Sequence, residues 1–267
     1  MGLETKIKQM EKDYKKYLII PDMHCDHEDY RALHGVYEFG KAWKPDKIIL
    51  MGDGVDFYAV SSFDKNPDKI LSLQKEIDVL HYHLKEIRKF YKGDITYLQG
   101  NHEERLLRYL KKNPEMSSLR SISSIPQVLQ LDKFDVDYKL SEENHGVLFK
   151  HGDVVRKHSA YTAKAEMETE GTSGGSGHTH RMSSHYKTDR SGQHAWFEFG
   201  HLCDEKQAEY IKGVANWQKG FGTMIYNKTN KTWSVNQHLV VNNSFEAYGK
   251  FYSWRANASY PERENIQ

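Results

Sequence analysis

Tyr17-Leu18-Ile19-Ile20 is a short apolar run stopped by Pro21, a pattern that predicts a buried strand. Lys47-Ile48-Ile49-Leu50-Met51, Ile95-Thr96-Tyr97-Leu98 and Gly146-Val147-Leu148-Phe149-Lys150 repeat it. Between these runs the period lengthens. Leu33, Val36, Tyr37 and Ala42 put helical spacing on residues 28–43. Residues 68–92 predict a long amphipathic helix, with Ile70, Leu71, Leu73, Ile77, Leu80, Leu84, Ile87 and Phe90 on one face and Gly93-Asp94 at its end. Residues 103–112 predict a short helix closed by Asn113-Pro114. Such alternation argues for a layered α/β domain with parallel strands.

After Pro114 the pattern loosens. Residues 154–169 are read as a further helix, and 195–199, 222–226 and 234–241 as strands. Residues 171–177, Gly-Thr-Ser-Gly-Gly-Ser-Gly, predict a flexible loop. Because histidines follow it at once, it is read as a mobile border of an active site; a linker between domains is the alternative. Residues 1–267 are taken as one domain, with a strand-rich part from 181 to 267 in which no motif is assigned. No internal repeat stands out.

Composition narrows the class. The chain has 267 residues, 38% of them hydrophobic, and a formal charge of +1, which suits one large globular domain. So balanced a charge neither points to nucleic acid nor excludes it, since a metal cluster supplies a local positive field. Two cysteines, Cys25 and Cys203, make no disulfide framework and fit a reducing compartment. Residues 1–16 lack the apolar core of a signal peptide, and no run approaches a membrane span. The expectation is a soluble, cytoplasmic protein.

The chemistry sits in five motifs: Asp22-Met23-His24, Gly52-Asp53-Gly54-Val55-Asp56, Gly100-Asn101-His102-Glu103, His151-Gly152-Asp153 and Gly177-His178-Thr179-His180. Alone, each reads as an ordinary polar turn. In order, and mostly at the ends of predicted strands, they suggest one site at a sheet edge. Asp22, His24, Asp53, Asn101, His151, His178 and His180 offer mixed nitrogen and oxygen ligands without a thiolate. That set disfavours a structural zinc site and suits manganese, iron, zinc or nickel. A carboxylate such as Asp53 has two oxygens with which to bridge two ions. Two divalent ions, less two aspartates and one hydroxide, leave a net charge of about +1, enough to draw in a phosphate.

The motif set resembles the calcineurin-like metallophosphoesterases, whose signature is D-x-H, G-D-x-x-D, G-N-H-[DE], H and G-H-x-H. Every element is present between positions 22 and 180, and the pattern also looks like phosphoesterases of bacteriophages and bacteria. The resemblance implies a four-layered α/β/β/α sandwich of two mixed sheets flanked by helices. It implies two divalent ions, manganese foremost: Asp22, His24 and His180 on one, Asn101, His151 and His178 on the other, and Asp53 between them, with a bridging hydroxide attacking phosphorus. His102 would serve as general acid or phosphate-binding cation and Asp56 would hold it protonated, the form able to donate to a leaving alkoxide. A helix N-cap is the alternative reading of Asp56.

Other residues are read more plainly. Arg181 and Arg105 are candidate phosphate contacts, set against a surface arginine and a solvated helix face; Arg108 shares that helix face. Cys25 is read as a small buried side chain, Glu103 as a carboxylate favoured in a first helical turn, and Trp196, Trp217 and Trp233 as core residues rather than base-stacking platforms. Protein phosphatases of the resembled family carry Asp-Arg-Gly where this chain has Asp56-Phe57-Tyr58. The missing arginine and the paired histidines of the last motif point to a phosphodiester in a nucleotide or nucleic acid, in the manner of the phosphodiesterases and nucleases. A phosphomonoesterase and a non-catalytic binding module on the same scaffold are the alternatives. Oligomeric state is not legible.

Overall fold

Residue-by-residue alternation decides how the apolar runs are used. In β1 (Tyr14–Ile20) Leu18 and Ile20 join one hydrophobic cluster while Tyr17 and Ile19 join another. The same division holds in β2 (Lys47–Leu50), where Ile48 and Leu50 face one way and Ile49 the other. Successive side chains of a strand point to opposite faces, so a run that is apolar throughout must be covered on both. The computed structural model describes residues 13–62, 64–65, 72–119, 122, 124–205 and 214–254.

The first sheet covers its outer face with helices. Helix α1 (Tyr30–Trp43) is capped by Asp29, whose carboxylate accepts from Ala32 N at 3.0 Å, and buries Leu33, Val36 and Phe39. Helix α2 (Leu73–Phe90), capped by Ser72, buries Ile77, Leu80, Leu84 and Ile87; residues 68–71 of the expected helix lie outside the described ones. After α2 come β3 (Asp94–Leu98), helix α3 (Asn101–Lys112) and then β4 (Val136–Lys139). Helix α3 starts two residues earlier than the sequence predicts, so Asn101 and His102 lie in its first turn.

The second sheet is built from β5 (Ser141–Asn144), β6 (Val147–Lys150), β7 (Ser173–Ser176), β8 (Met182–Asp189) and β9 (Gly192–Phe199). Helix α4 (Tyr161–Glu170), shorter than the helix expected over 154–169, covers it with Ala163 and Met167 against Trp196. The chain then returns to the first sheet with β10 (Gly220–Asn227) and β11 (Thr232–Leu239), and ends its described part with the hairpin β12 (Ser244–Ala247) and β13 (Lys250–Ser253).

Strand order is β11-β10-β1-β2-β3-β4 in the first sheet and β5-β6-β7-β9-β8 in the second. β1 to β4 are parallel, with β10 antiparallel on β1; in the second sheet β6, β7 and β9 are parallel, with antiparallel β5 and β8 at the edges. Ile19, Ile49 and Met51 from the first sheet meet Val147, Phe149, Phe197 and Phe199 from the second in one buried cluster. The layers therefore run helices, sheet, sheet, helix, which is the expected α/β/β/α sandwich of two mixed sheets.

One expectation fails outright. The glycine-rich segment is no mobile loop: Ser173–Ser176 is the buried third strand of the second sheet. A Cβ on Gly174 would sit 2.4 Å from Leu148 O and 2.5 Å from the Trp196 ring, and one on Gly175 2.4 Å from the Phe199 ring. The glycines serve close packing. Ser173 Oγ accepts from Ala195 N at 3.2 Å and Ser176 Oγ from Trp196 Nε1 at 3.1 Å, so the hydroxyls are part of the sheet too.

Candidate metal centre

Each motif leaves the carboxyl end of a strand or opens the helix that follows one. Asp22 and His24 follow β1, Asp53 and Asp56 follow β2, and Asn101 and His102 open α3 after β3. From the other sheet, His151 follows β6, while His178 and His180 follow β7. Candidate ligands from both sheets meet at this strand-end edge. Five of the seven, Asp22, His24, Asp53, His178 and His180, have φ between 33° and 67°. Asp and His tolerate this left-handed region better than most residues, yet it is uncommon.

The donor atoms fall into two groups around one carboxylate oxygen. Asp53 Oδ2 lies 3.2 Å from His151 Nε2 and 3.8 Å from His24 Nε2. On the His151 side, Asn101 Oδ1 is 3.0 Å from His151 Nε2 and 2.7 Å from His178 Nδ1. On the His24 side, the Nε2 atoms of His24 and His180 face each other at 3.0 Å, and His180 Nε2 is 3.6 Å from Asp22 Oδ2.

Partners behind these rings settle their tautomers. His151 Nδ1 is 2.9 Å from the Met51 carbonyl and His24 Nδ1 is 3.2 Å from Asp56 Oδ1. With hydrogen on each Nδ1, Nε2 is the atom that each ring turns inward, the arrangement by which outer groups orient metal-binding histidines. Burial pushes the pKa of His24 down, lowers His178 to about 4 and lowers His180 strongly. Neutral imidazole is the ligand form. His151 goes the other way: burial opposes protonation, but Asp53 and Asp22 outweigh it and raise the ring to about 10.

Two carboxylates share the site unequally. Burial raises Asp22 to about 8, with Asp53 adding to it, whereas Asp53 is held well below the usual range because His102 and His151 outweigh its own burial. Asp22 has no exposed surface, and among the described residues neither of its oxygens meets a partner in good hydrogen-bond geometry; His180 Nδ1 is likewise buried without one. A buried carboxylate left so is costly. Nitrogen and oxygen donors around an unsatisfied carboxylate fit divalent cations, and the residues present suit that group.

His102 sits beside this cluster. Its Nδ1 is 2.8 Å from Asp56 Oδ1 and 2.9 Å from Asp56 O, and its Nε2 is 3.7 Å from Asp53 Oδ2. Burial works against protonation, but Asp53 and Asp56 prevail and the pKa is raised. By distance alone Nε2 is near enough to His24 and Asp53 to be another donor. The Arg105 guanidinium, with Nη2 2.9 Å away and Nη1 donating to Asp56 O at 2.8 Å, opposes a cation there. Arg105 is thus largely buried against His102 rather than on a solvated face, while Arg108 is exposed beside Glu104. Arg181 is engaged through Nη1 by the Arg156 carbonyl at 2.6 Å.

Sequence reasoning understated Glu103. Its buried carboxylate accepts from Asp53 N at 3.1 Å, Gly54 N at 3.1 Å, Gly100 N at 2.7 Å and the Tyr97 hydroxyl at 2.6 Å. One side chain thereby ties the second motif to the third. The Asp56–His24 contact was missed as well. Cys25 and Trp196 are buried as expected, and Trp233 is a partly buried neighbour of the core between the sheets. Trp217 instead stands with its ring 4.2 Å from that of His180.

The gene 54 protein of Mycobacterium phage D29 is 30% identical over 227 residues, covering 79% of this chain and 88% of its own length, and that of phage L5 matches to the same extent. The chain belongs to the family of these phage proteins. No family model matches it. Among solved structures, a Vps29 double mutant from Entamoeba histolytica aligns over 90% of this chain and 99% of its own at 11% identity with a TM-score of 0.42. YfcE, a phosphoesterase from E. coli, aligns over 83% and 98% at 12% identity with a TM-score of 0.37. These are loose likenesses of overall shape. The two-sheet sandwich of this gene 54 relative stands on its own strand order, and its motifs on their own distances.

Proposed function

We propose that the protein hydrolyses a phosphodiester bond in a nucleotide or nucleic acid with the aid of two divalent metal ions, manganese foremost. The observation that carries the reading is Asp22, a carboxylate without exposed surface and, among the described residues, without a well-placed hydrogen-bond partner, set among imidazoles. Asp22, His24 and His180 would hold one ion and Asn101, His151 and His178 the other, with Asp53 shared. Bound there, the ions neutralise phosphate oxygens and acidify water enough to supply a nucleophile near neutral pH.

The chain's own residues supply position and a proton. Asp56 orients His102 through Nδ1 and favours its imidazolium; Nε2 protonates the departing oxygen once Arg105 Nη2, 2.9 Å from it, has turned toward the phosphate. Arg105, anchored on the Asp56 carbonyl, offers a cation to a non-bridging oxygen. Arg181 would have to leave the Arg156 carbonyl to do the same. Phe57, in the place of the family's phosphatase arginine, has no exposed surface. No clamp for the extra charge of a monoester stands there, which favours the diester.

The test compares bis-p-nitrophenyl phosphate with p-nitrophenyl phosphate in the presence of added manganese. Faster turnover of the diester is expected. Faster turnover of the monoester overturns the substrate assignment, and no turnover with any divalent metal overturns the hydrolase.

A further inference from the structure

A second cluster of metal-ligating side chains lies beneath the first motif and plays no part in the site described above. Cys25, directly after His24, is fully buried; Glu28, two residues before α1, is 2% exposed; His83, in the middle of α2, is fully buried. Their sulfur, carboxylate oxygen and ring nitrogen all lie within 4.8 Å of one another. A tetrahedral zinc site with bonds of about 2.0–2.3 Å puts neighbouring donors roughly 3.3–3.8 Å apart, so only a small inward shift separates this trio from coordination.

His83 supplies the observation that points to a ligand. Its Nδ1 is 3.0 Å from the Tyr37 hydroxyl, while its Nε2 is buried, has no hydrogen-bond partner among the described residues and lies 3.5 Å from Glu28 Oε1. Were the hydrogen on Nε2, it would sit next to a carboxylate without bonding to it. With the hydrogen on Nδ1, donated to Tyr37, Nε2 turns a lone pair toward Glu28 and Cys25. That is how an outer partner orients a metal-binding histidine.

We propose that Cys25, Glu28 and His83 form a third metal site, selective for zinc. Donor chemistry sets the selectivity: one thiolate, one imidazole and one carboxylate are borderline-soft, whereas the all-nitrogen-and-oxygen set beside it also accepts manganese. The ion ties α2 to the turn that carries Asp22 and His24. That turn is already pinned to the second motif, with Cys25 N donating to Gly54 O at 3.0 Å and Asp56 N to Cys25 O at 3.1 Å.

Cobalt substituted into the full chain tests this, because a thiolate ligand produces a near-ultraviolet charge-transfer band that nitrogen and oxygen ligands do not. The wild type should show the band and hold one more ion per chain than Cys25→Ser. The band should vanish in Cys25→Ser and His83→Ala and persist in Cys203→Ser. Cys25→Ser changes a single atom, so it decides the matter if His83→Ala fails to fold. A wild type without the band overturns the proposal. So does a band lost in Cys203→Ser but kept in Cys25→Ser, which would place the thiolate in the cluster of His180, His201 and Cys203.

Discussion

Left-handed backbone at Asp22, His24, Asp53, His178 and His180 is a cost concentrated where donor atoms must converge. Something must hold those turns, and at Asp53 it is Glu103. Its carboxylate faces four backbone N–H groups and a phenol, and a neutral amide would present one acceptor and two hydrogens to the same donors. Glu103→Gln should cost about 2 kcal/mol, from the usual worth of charge-assisted hydrogen bonds, and lower Tm by about 5 °C; an unchanged melting curve would count against the clamp. His102→Asn makes a different prediction: turnover on a diester with a poor leaving group should fall about 10²–10⁴-fold while metal content stays intact. The ligand types were legible as residues in motifs. The dual service of Asp56 to His24 and His102 was not, because it depends on two turns meeting in space.

At the scale of elements, β7 shows where reading by composition stops. A run of glycine and serine looks the same whether it is solvated or sealed between β6 and β9. Only the Trp196 and Phe199 rings, which arrive later in the chain, decide for the strand. Gly174→Ala should destabilise by about 1–3 kcal/mol, the usual cost of overpacking, because a carbonyl of the neighbouring strand cannot move aside as a side chain does. Amide hydrogens at 174–176 should exchange slowly with or without manganese; protection appearing only with metal would restore the mobile loop. The polar β4 and β5, Val-Asp-Tyr-Lys and Ser-Glu-Glu-Asn, were illegible for a related reason: the sheet edges they occupy leave little apolar pattern to read.

For the whole molecule, the motif order announced one site, and the alternation of apolar runs announced buried strands. Neither told that Asp22, Asp53 and Asn101 stand on one sheet while His151, His178 and His180 stand on the other. Metal bound there adds bonds between two sheets that are otherwise joined by side-chain packing and a few polar contacts, such as the Lys47–Glu142 ion pair and the Gln237 amide donating to Ser183 O. Chelation should therefore lower Tm. Free metal a hundredfold above its Kd contributes about 2.7 kcal/mol per site, so stripping one ion should lower Tm by about 5–10 °C. Equal Tm with manganese and with EDTA would mean that the cluster holds no ion in solution. Among the described residues no helix is long and apolar enough to cross a membrane.

The placement of β1 also bears on how the chain is made. One flank of β1 pairs with β2, which follows soon after it; the other pairs with β10, Tyr14 opposite Asn227 and Ile19 opposite Gly222. During translation that second flank is an open sheet edge of apolar residues until most of the protein has emerged, the kind of edge that invites pairing with other chains. Ribosome-bound chains halted before residue 220 should be cut readily by protease near β1, and those halted well beyond residue 239 should resist.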